Sequence, residues 1–310
     1  MKNLAYSGGY LDRASYRRSD PGWVAALLGS SRSRLIPVWH DHCLVSGDPP
    51  APVTVLDAEQ SQRVRELGTP LFLGLDGDVG LFAVDLSALD EASAVAAAGA
   101  ERIGDLRAFA GTLGSAEAAS LADARGLAYW NRNQQFCGTC GTATLGRHGG
   151  HLRVCGNEAC ARLHFPRIEP AVITLVESAG PPRRCLMARH NGSAPDSFAL
   201  LAGFVEIGES LEDAVRREVT EEAGVSLATV NYVASQAWPF PAGLMVGFRA
   251  TAASESVTAD GKEILEARWF TRAELSQRAA AGRPLGRVDS IDRHLLRSWL
   301  DQPETPPGHS

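Results

Sequence analysis

Lysine is almost missing from this chain: of thirty basic residues only Lys2 and Lys262 are lysine, and the rest are arginine. Thirty-six acidic side chains outweigh them, giving a net charge of −6. That balance excludes a protein built mainly to coat nucleic acid, although local arginines can still hold a polyanion. The arginine bias reads as GC-rich coding more than as a device for gripping phosphate. Long hydrophobic runs are absent as well. No segment approaches the roughly 20 apolar residues of a membrane span, and the opening MKNLAYSGGYLDR holds no apolar core of signal-peptide length. The chain therefore reads as soluble and cytoplasmic, with no membrane partner. Internal repeats are missing too. What remains, 310 residues with 45% apolar content, can bury two cores and a small module.

Cysteine is scarce, and four of the six cluster. Cys137-Gly-Thr-Cys140 and Cys155-Gly-Asn-Glu-Ala-Cys160 make two short knuckles around a glycine-rich hairpin. This spacing places four thiolates around one tetrahedral zinc ion and fits a reducing compartment better than a disulfide framework does. Cys43 and Cys185 stand alone and read as packing residues. Trp39-His40-Asp41-His42-Cys43 has metal-binding residue types, but closely spaced histidines on a strand more often pair with backbone or carboxylates.

The densest chemistry lies in residues 203 to 225, GFVEIGESLEDAVRREVTEEAGV. Ser210 with Asp213 three residues later signals a helix start, and Gly224 a stop, so the pattern predicts a helix over 211–223. At about 100° per residue, Leu211, Val215 and Val219 form an apolar stripe, and Glu218 and Glu222 fall inside it. Two carboxylates turned toward the protein body repel each other and lose hydration unless a cation lies between them. Hard divalent cations completed by substrate phosphates are the natural occupants.

Gly203, Glu209, Arg217, Glu218, Val219, Glu221, Glu222, Gly224 and Val225 also fill every defined position of G-x5-E-x7-R-E-U-x-E-E-x-G-U, the signature of Nudix hydrolases. The chain resembles that family. Ser235-Gln236-Ala237-Trp238-Pro239-Phe240-Pro241-Ala242-Gly243 is similar to the SQPWPFPxS motif of its NADH pyrophosphatase branch, whose other mark is a four-cysteine ribbon just upstream. The resemblance implies an α/β fold, a Nudix α/β/α sandwich with a mixed sheet, preceded by a zinc ribbon and an α+β N-terminal domain. Expected boundaries are 1–131 for the N-terminal domain, 132–165 for the ribbon, 166–302 for the catalytic domain and 303–310 for a mobile tail.

The resemblance also implies a homodimer that hydrolyses NADH or NAD to AMP and the nicotinamide mononucleotide and removes NAD caps from RNA 5′ ends. Glu218 and Glu222 would hold Mg or Mn, joined by the carbonyl of Ala202 and by Glu263. Glu221 would assist or act as base, and Arg217 would orient the glutamates with Glu209 as its partner. Phe165 and Phe204 would flank a base or ring, Gln236 through Gly243 would form the substrate wall together with the region of Asp292, and Arg107 would reach a phosphate. Phe165 stands where the branch has Tyr, Ala237 where it has Pro, Gly243 where it has Ser, and Asp292 where it has Ala. These departures bear on the nicotinamide end and leave the glutamates intact. Two other readings share part of the pattern: a Nudix enzyme for ADP-ribose or dinucleoside polyphosphates, and a non-enzymatic zinc-ribbon module that binds nucleic acid.

Overall fold

Strands buried on both faces read as nearly unbroken apolar runs, and LFLGL and VGLFAVDL are of this kind. In the computed structural model, which describes residues 4–54, 58–283 and 285–302, both runs are strands with buried side chains on each face, the second inside its sheet and the first at the end of it. The tail at 303–310, expected to be mobile, lies outside the described residues. The chain divides into two units, Met1–Ile168 with Ala237–Ala242, and Glu169–Gln236 with Gly243–Ser310.

The first unit runs α1 (Pro21–Gly29), β1 (Arg34–Trp39), β2 (His42–Ser46), β3 (Ala51–Pro52), α2 (Ala58–Leu67), β4 (Thr69–Asp76), β5 (Val79–Asp85), α3 (Glu91–Ala98), β6 (Arg102–Gly104), α4 (Leu106–Phe109) and α5 (Ser115–Asn133). Its sheet has the order β3-β2-β1-β5-β4, with β6 on β2 and a parallel β1–β5 pair at the centre. Successive side chains point to opposite faces of a strand. Thus Leu71, Leu73, Leu81 and Ala83 pack toward Leu121, Ala124 and Ala128 of α5, while Phe72, Phe82 and Val84 pack with Val64, Ala94 and Ala97 of α2 and α3. The unit is itself a helix–sheet–helix sandwich, with α5 on one face of the sheet and α2 and α3 on the other. The alanine-rich stretch after Asp105 is not one helix: α4 ends at Phe109, Gly111 and Gly114 follow, and α5 begins only at Ser115.

The ribbon follows as β7 (Thr144–Arg147), β8 (Leu152–Cys155) and β9 (Leu163–His164), an antiparallel sheet. It belongs to the first unit. Buried Arg153 ties it to α5, donating to Thr144 Oγ1 at 2.7 Å and to Asn131 Oδ1 at 3.3 Å.

The second unit comprises β10 (Glu169–Glu177), β11 (Arg184–His190), β12 (Leu201–Phe204), α6 (Leu211–Ala223), β13 (Leu227–Trp238), β14 (Gly243–Ala252), β15 (Ile264–Thr271), α7 (Arg272–Ala280) and α8 (Ile291–Leu300). Its mixed sheet has the order β13-β14-β10-β11-β15, with β12 on β10 and β10 parallel to β14. Val215, Val219 and Ala223 of α6 bury against Val172, Val176, Val246 and Phe248. Outside that cluster, α8 lies against β14 and β10. Among the described residues no helix is long and apolar enough to cross a membrane.

Candidate active site

Helix α6 spans the residues its sequence signals mark. Ser210 and Asp213 close a reciprocal capping box, and Gly224 ends the helix in the left-handed conformation at φ 68°. The glycine before the helix has a different reason. A Cβ on Gly203 would stand 1.8 Å from Glu218 Oε1, so β12 can pass the helix only where no side chain intervenes.

Arg217 gathers the carboxylates. Its Nε and Nη2 donate to the two oxygens of Glu209 at 2.6 and 2.9 Å, Nη1 to Glu218 at 2.8 Å and Glu221 at 3.1 Å, and Nη2 also to the Phe204 carbonyl at 2.8 Å. The bidentate Arg217 bond holds the Glu209 carboxyl down at about 2. Glu218 shifts the other way: burial raises it, and Arg217 offsets only part.

Glu222 is the outlier. It is 4% exposed, and among the described residues neither carboxylate oxygen has a hydrogen-bond partner of normal geometry. Burial first, then the charges of Glu218 and Glu263, push its carboxyl up to about 8, and the approach of the Ala202 backbone amide offsets little of this. Glu263 comes from the loop before β15. Asp260 shapes that loop by accepting from the backbone N–H groups of Lys262, Glu263 and Ile264 at 3.2, 3.2 and 2.8 Å. A buried, unpartnered carboxylate facing two more carboxylates suits a divalent cation, and oxygen-rich donors suit Mg or Mn.

His190, which no sequence motif marked, joins this group: one ligand atom each from His190, Glu222 and Glu263 lies within 4.8 Å of the others. Its only sequence signal is a histidine at a strand end, since its partners lie far along the chain.

The four ribbon cysteines also converge, with Cys137 and Cys160 sulfurs 3.9 Å apart and Cys140 and Cys155 sulfurs 3.4 Å apart. Tetrahedral zinc with bonds of about 2.3 Å sets sulfurs about 3.8 Å apart, so the set fits. Cys43 and Cys185 are buried, and burial pushes the first up to about 12 and the second well above its ordinary value, in keeping with packing roles. The His40–His42 segment forms no metal cluster among the described residues; Asp41 is taken by Arg132 at 2.9 Å.

The remaining expected residues separate. Residues 237–242 belong to the first unit, where Tyr6 meets the rings of Trp238 and Phe240 edge-on and Arg107 lies 3.7 Å from the Phe240 ring centroid. Arg125 lies 4.7 Å from the same ring and donates to the Pro241 carbonyl at 3.4 Å, and Ala242 lies by Gly126. Pro239 is buried, and Ala237 packs on the same core. Phe165, exposed, is in the first unit; Phe204, equally exposed, is in the second.

Gln236 departs from the expected substrate wall. It is 1% exposed, and its amide donates to the Asp289 carbonyl and accepts from Ile291 N–H, both at 2.7 Å, so it braces α8. Gly243 is in the ladder of β14, opposite Glu169. Asp292 is buried at the start of α8, its Oδ1 unpartnered among the described residues.

A mixed sheet carrying an arginine-clamped row of glutamates on its covering helix defines the Nudix class. Residues 167–289 match the NUDIX domain, residues 132–165 the NADH pyrophosphatase zinc ribbon domain, and residues 32–130 the NADH pyrophosphatase-like rudimentary NUDIX domain. The chain belongs to the Nudix family, in the branch that joins these three parts. It is 40% identical over 171 residues to the human NAD-capped RNA hydrolase NUDT12, covering 51% of this chain and 36% of that one. It is 40% identical over 150 residues to NAD-capped RNA hydrolase NudC of Pseudomonas aeruginosa, covering 48% and 50%, and 43% identical over 145 residues to that of Mycobacterium bovis, covering 44% and 46%. The chain thus spans about a third of the human relative and about half of the bacterial ones.

Proposed function

We propose that this chain hydrolyses the pyrophosphate of NADH and NAD to AMP and the nicotinamide mononucleotide, and removes NAD caps from RNA 5′ ends. The observation that carries the reading is the buried, unpartnered carboxylate of Glu222 beside Glu218 and Glu263 in a chain with the ribbon of the NADH pyrophosphatase branch. Glu218, Glu222, Glu263 and the Ala202 carbonyl would hold Mg or Mn. Such an ion would supply charge neutralisation of the pyrophosphate and a lowered pKa for a bound water near neutral pH. Arg217 keeps the carboxylates in register. Glu221, whose side chain is 61% exposed, takes the proton of the attacking water.

Trp238 and Phe240 offer flat surfaces for planar rings, and Arg107, stacked on Phe240, presents a guanidinium for phosphate. The four ribbon cysteines hold structural zinc, the enzyme works as a homodimer, and thiolate-bound zinc suits a reducing cytoplasm. The test is product analysis of NADH, NAD, ADP-ribose and NAD-capped RNA side by side with Mg and Mn. AMP and the mononucleotide from NADH at the highest kcat/KM support the proposal. Preference for ADP-ribose overturns the substrate, and no turnover of any of them overturns the reaction.

A further inference from the structure

We propose that His190 is a nitrogen ligand of the divalent-cation site, so that this enzyme favours Mn over Mg through a side chain outside the glutamate signature. The geometry begins with a bulge. Strand β11 pairs Arg189 with Glu266 but His190 with Ile264, so Leu265 of β15 has no opposite partner. In regular register His190 would face Leu265; the bulge moves it one residue closer to Glu263. Bulges commonly re-aim a side chain beside a site. The next residue fixes the placement, since Asn191 donates its backbone N–H to the Glu263 carbonyl at 2.8 Å and its side-chain amide to the Lys262 carbonyl at 3.3 Å.

The imidazole thus comes within 4.8 Å of ligand oxygens of Glu222 and Glu263, yet among the described residues it forms no ion pair with either. Ligands on one octahedral ion with bonds of about 2.1 Å stand up to about 4.2 Å apart, so small side-chain rotations close the set. The second observation is independent: Glu222, buried at 4% exposure, aims two unpartnered oxygens into the same place. A neutral imidazole is a poor ligand for Mg, which demands oxygen, and is accepted more readily by a first-row transition ion: Mn, the weakest binder of that series, still takes nitrogen better than Mg does.

The inference rests on the reading of Glu218, Glu222 and Glu263 as ion ligands, and pulsed electron paramagnetic resonance of the intact chain loaded with Mn separates the two. Electron spin echo modulation from a directly bound nitrogen is expected in the native protein, and labelling with 15N-histidine should replace the 14N pattern without any substitution. In His190→Gln the nitrogen modulation should vanish while Mn still binds, with its affinity reduced about tenfold or more and that for Mg changed less than about twofold. Mn bound without histidine nitrogen modulation, or a modulation that survives in His190→Gln, overturns the role of His190 and leaves the carboxylate site standing. Failure of the native chain to bind Mn overturns both.

Discussion

Glu222 is held in a place where, without a counter-ion, its charge is opposed by burial and by two neighbouring carboxylates. Glu222→Gln keeps the volume and removes the charge, so turnover of NADH should fall more than about a hundredfold while the fold survives. Steady-state kinetics beside a thermal melt checks this, and near-native turnover in a folded variant refutes it. Asp292 is a second buried acid, and burial pushes its carboxyl up to about 7, opposed by a backbone N–H from Leu200. An unfolded chain ionises this group from its ordinary value of 3.8. Between those two values the folded state binds more protons, so this residue makes stability decline as pH rises from about 4 to 7, by at most about 1.4 kcal/mol per pH unit. Asp292→Asn should flatten that slope and be relatively more stable at pH 7.5 than at pH 5. Urea titrations at both pH values measure it, and an unchanged slope removes Asp292 as the cause.

Helix α6 and the ribbon were the most legible elements because their information is local. Capping box, apolar stripe and glycine stop occur within fifteen residues, and Ser210–Gly224 appears in the structure as read. The four cysteines are likewise close in sequence and converge. His190, by contrast, needs a bulge on a neighbouring strand to approach Glu263, and register is set by tertiary pairing that local spacing does not encode. Gln236 was illegible for the same reason: its motif implies a substrate wall, and that its amide satisfies the backbone of Asp289 and Ile291 is set by partners more than fifty residues along the chain. For the ribbon, one zinc per chain is expected by metal analysis. Cys155→Ser should lose that ion and lower the melting temperature of the first unit, without changing Mn affinity at the glutamates. A zinc-free native protein with an unchanged melt would contradict this.

At the scale of the whole molecule, the tract that identifies the branch is also part of a core. Trp238 and Phe240 pack on Tyr6 and the cluster around α5. Truncating a large core aromatic to alanine costs about 3–5 kcal/mol, and Trp238 is only half-buried, so Trp238→Ala should destabilise the first unit by about 3 kcal/mol or less while raising the KM for NADH. Chemical denaturation and NADH kinetics on one variant distinguish a strut from a substrate wall, and both effects together are expected. The division of the chain carries a further consequence, for synthesis. The first unit takes in Ala237–Ala242, but its own polypeptide ends at Ile168. A ribosome must add the 74 residues from 169 to 242 before that unit can finish packing, a wait of about 4 to 15 s at roughly 5–20 residues per second. Nascent chains arrested at Ile168 should therefore expose the surface around Tyr6 and Arg125 to proteases and chaperones, and protection should come only once Ala242 has emerged.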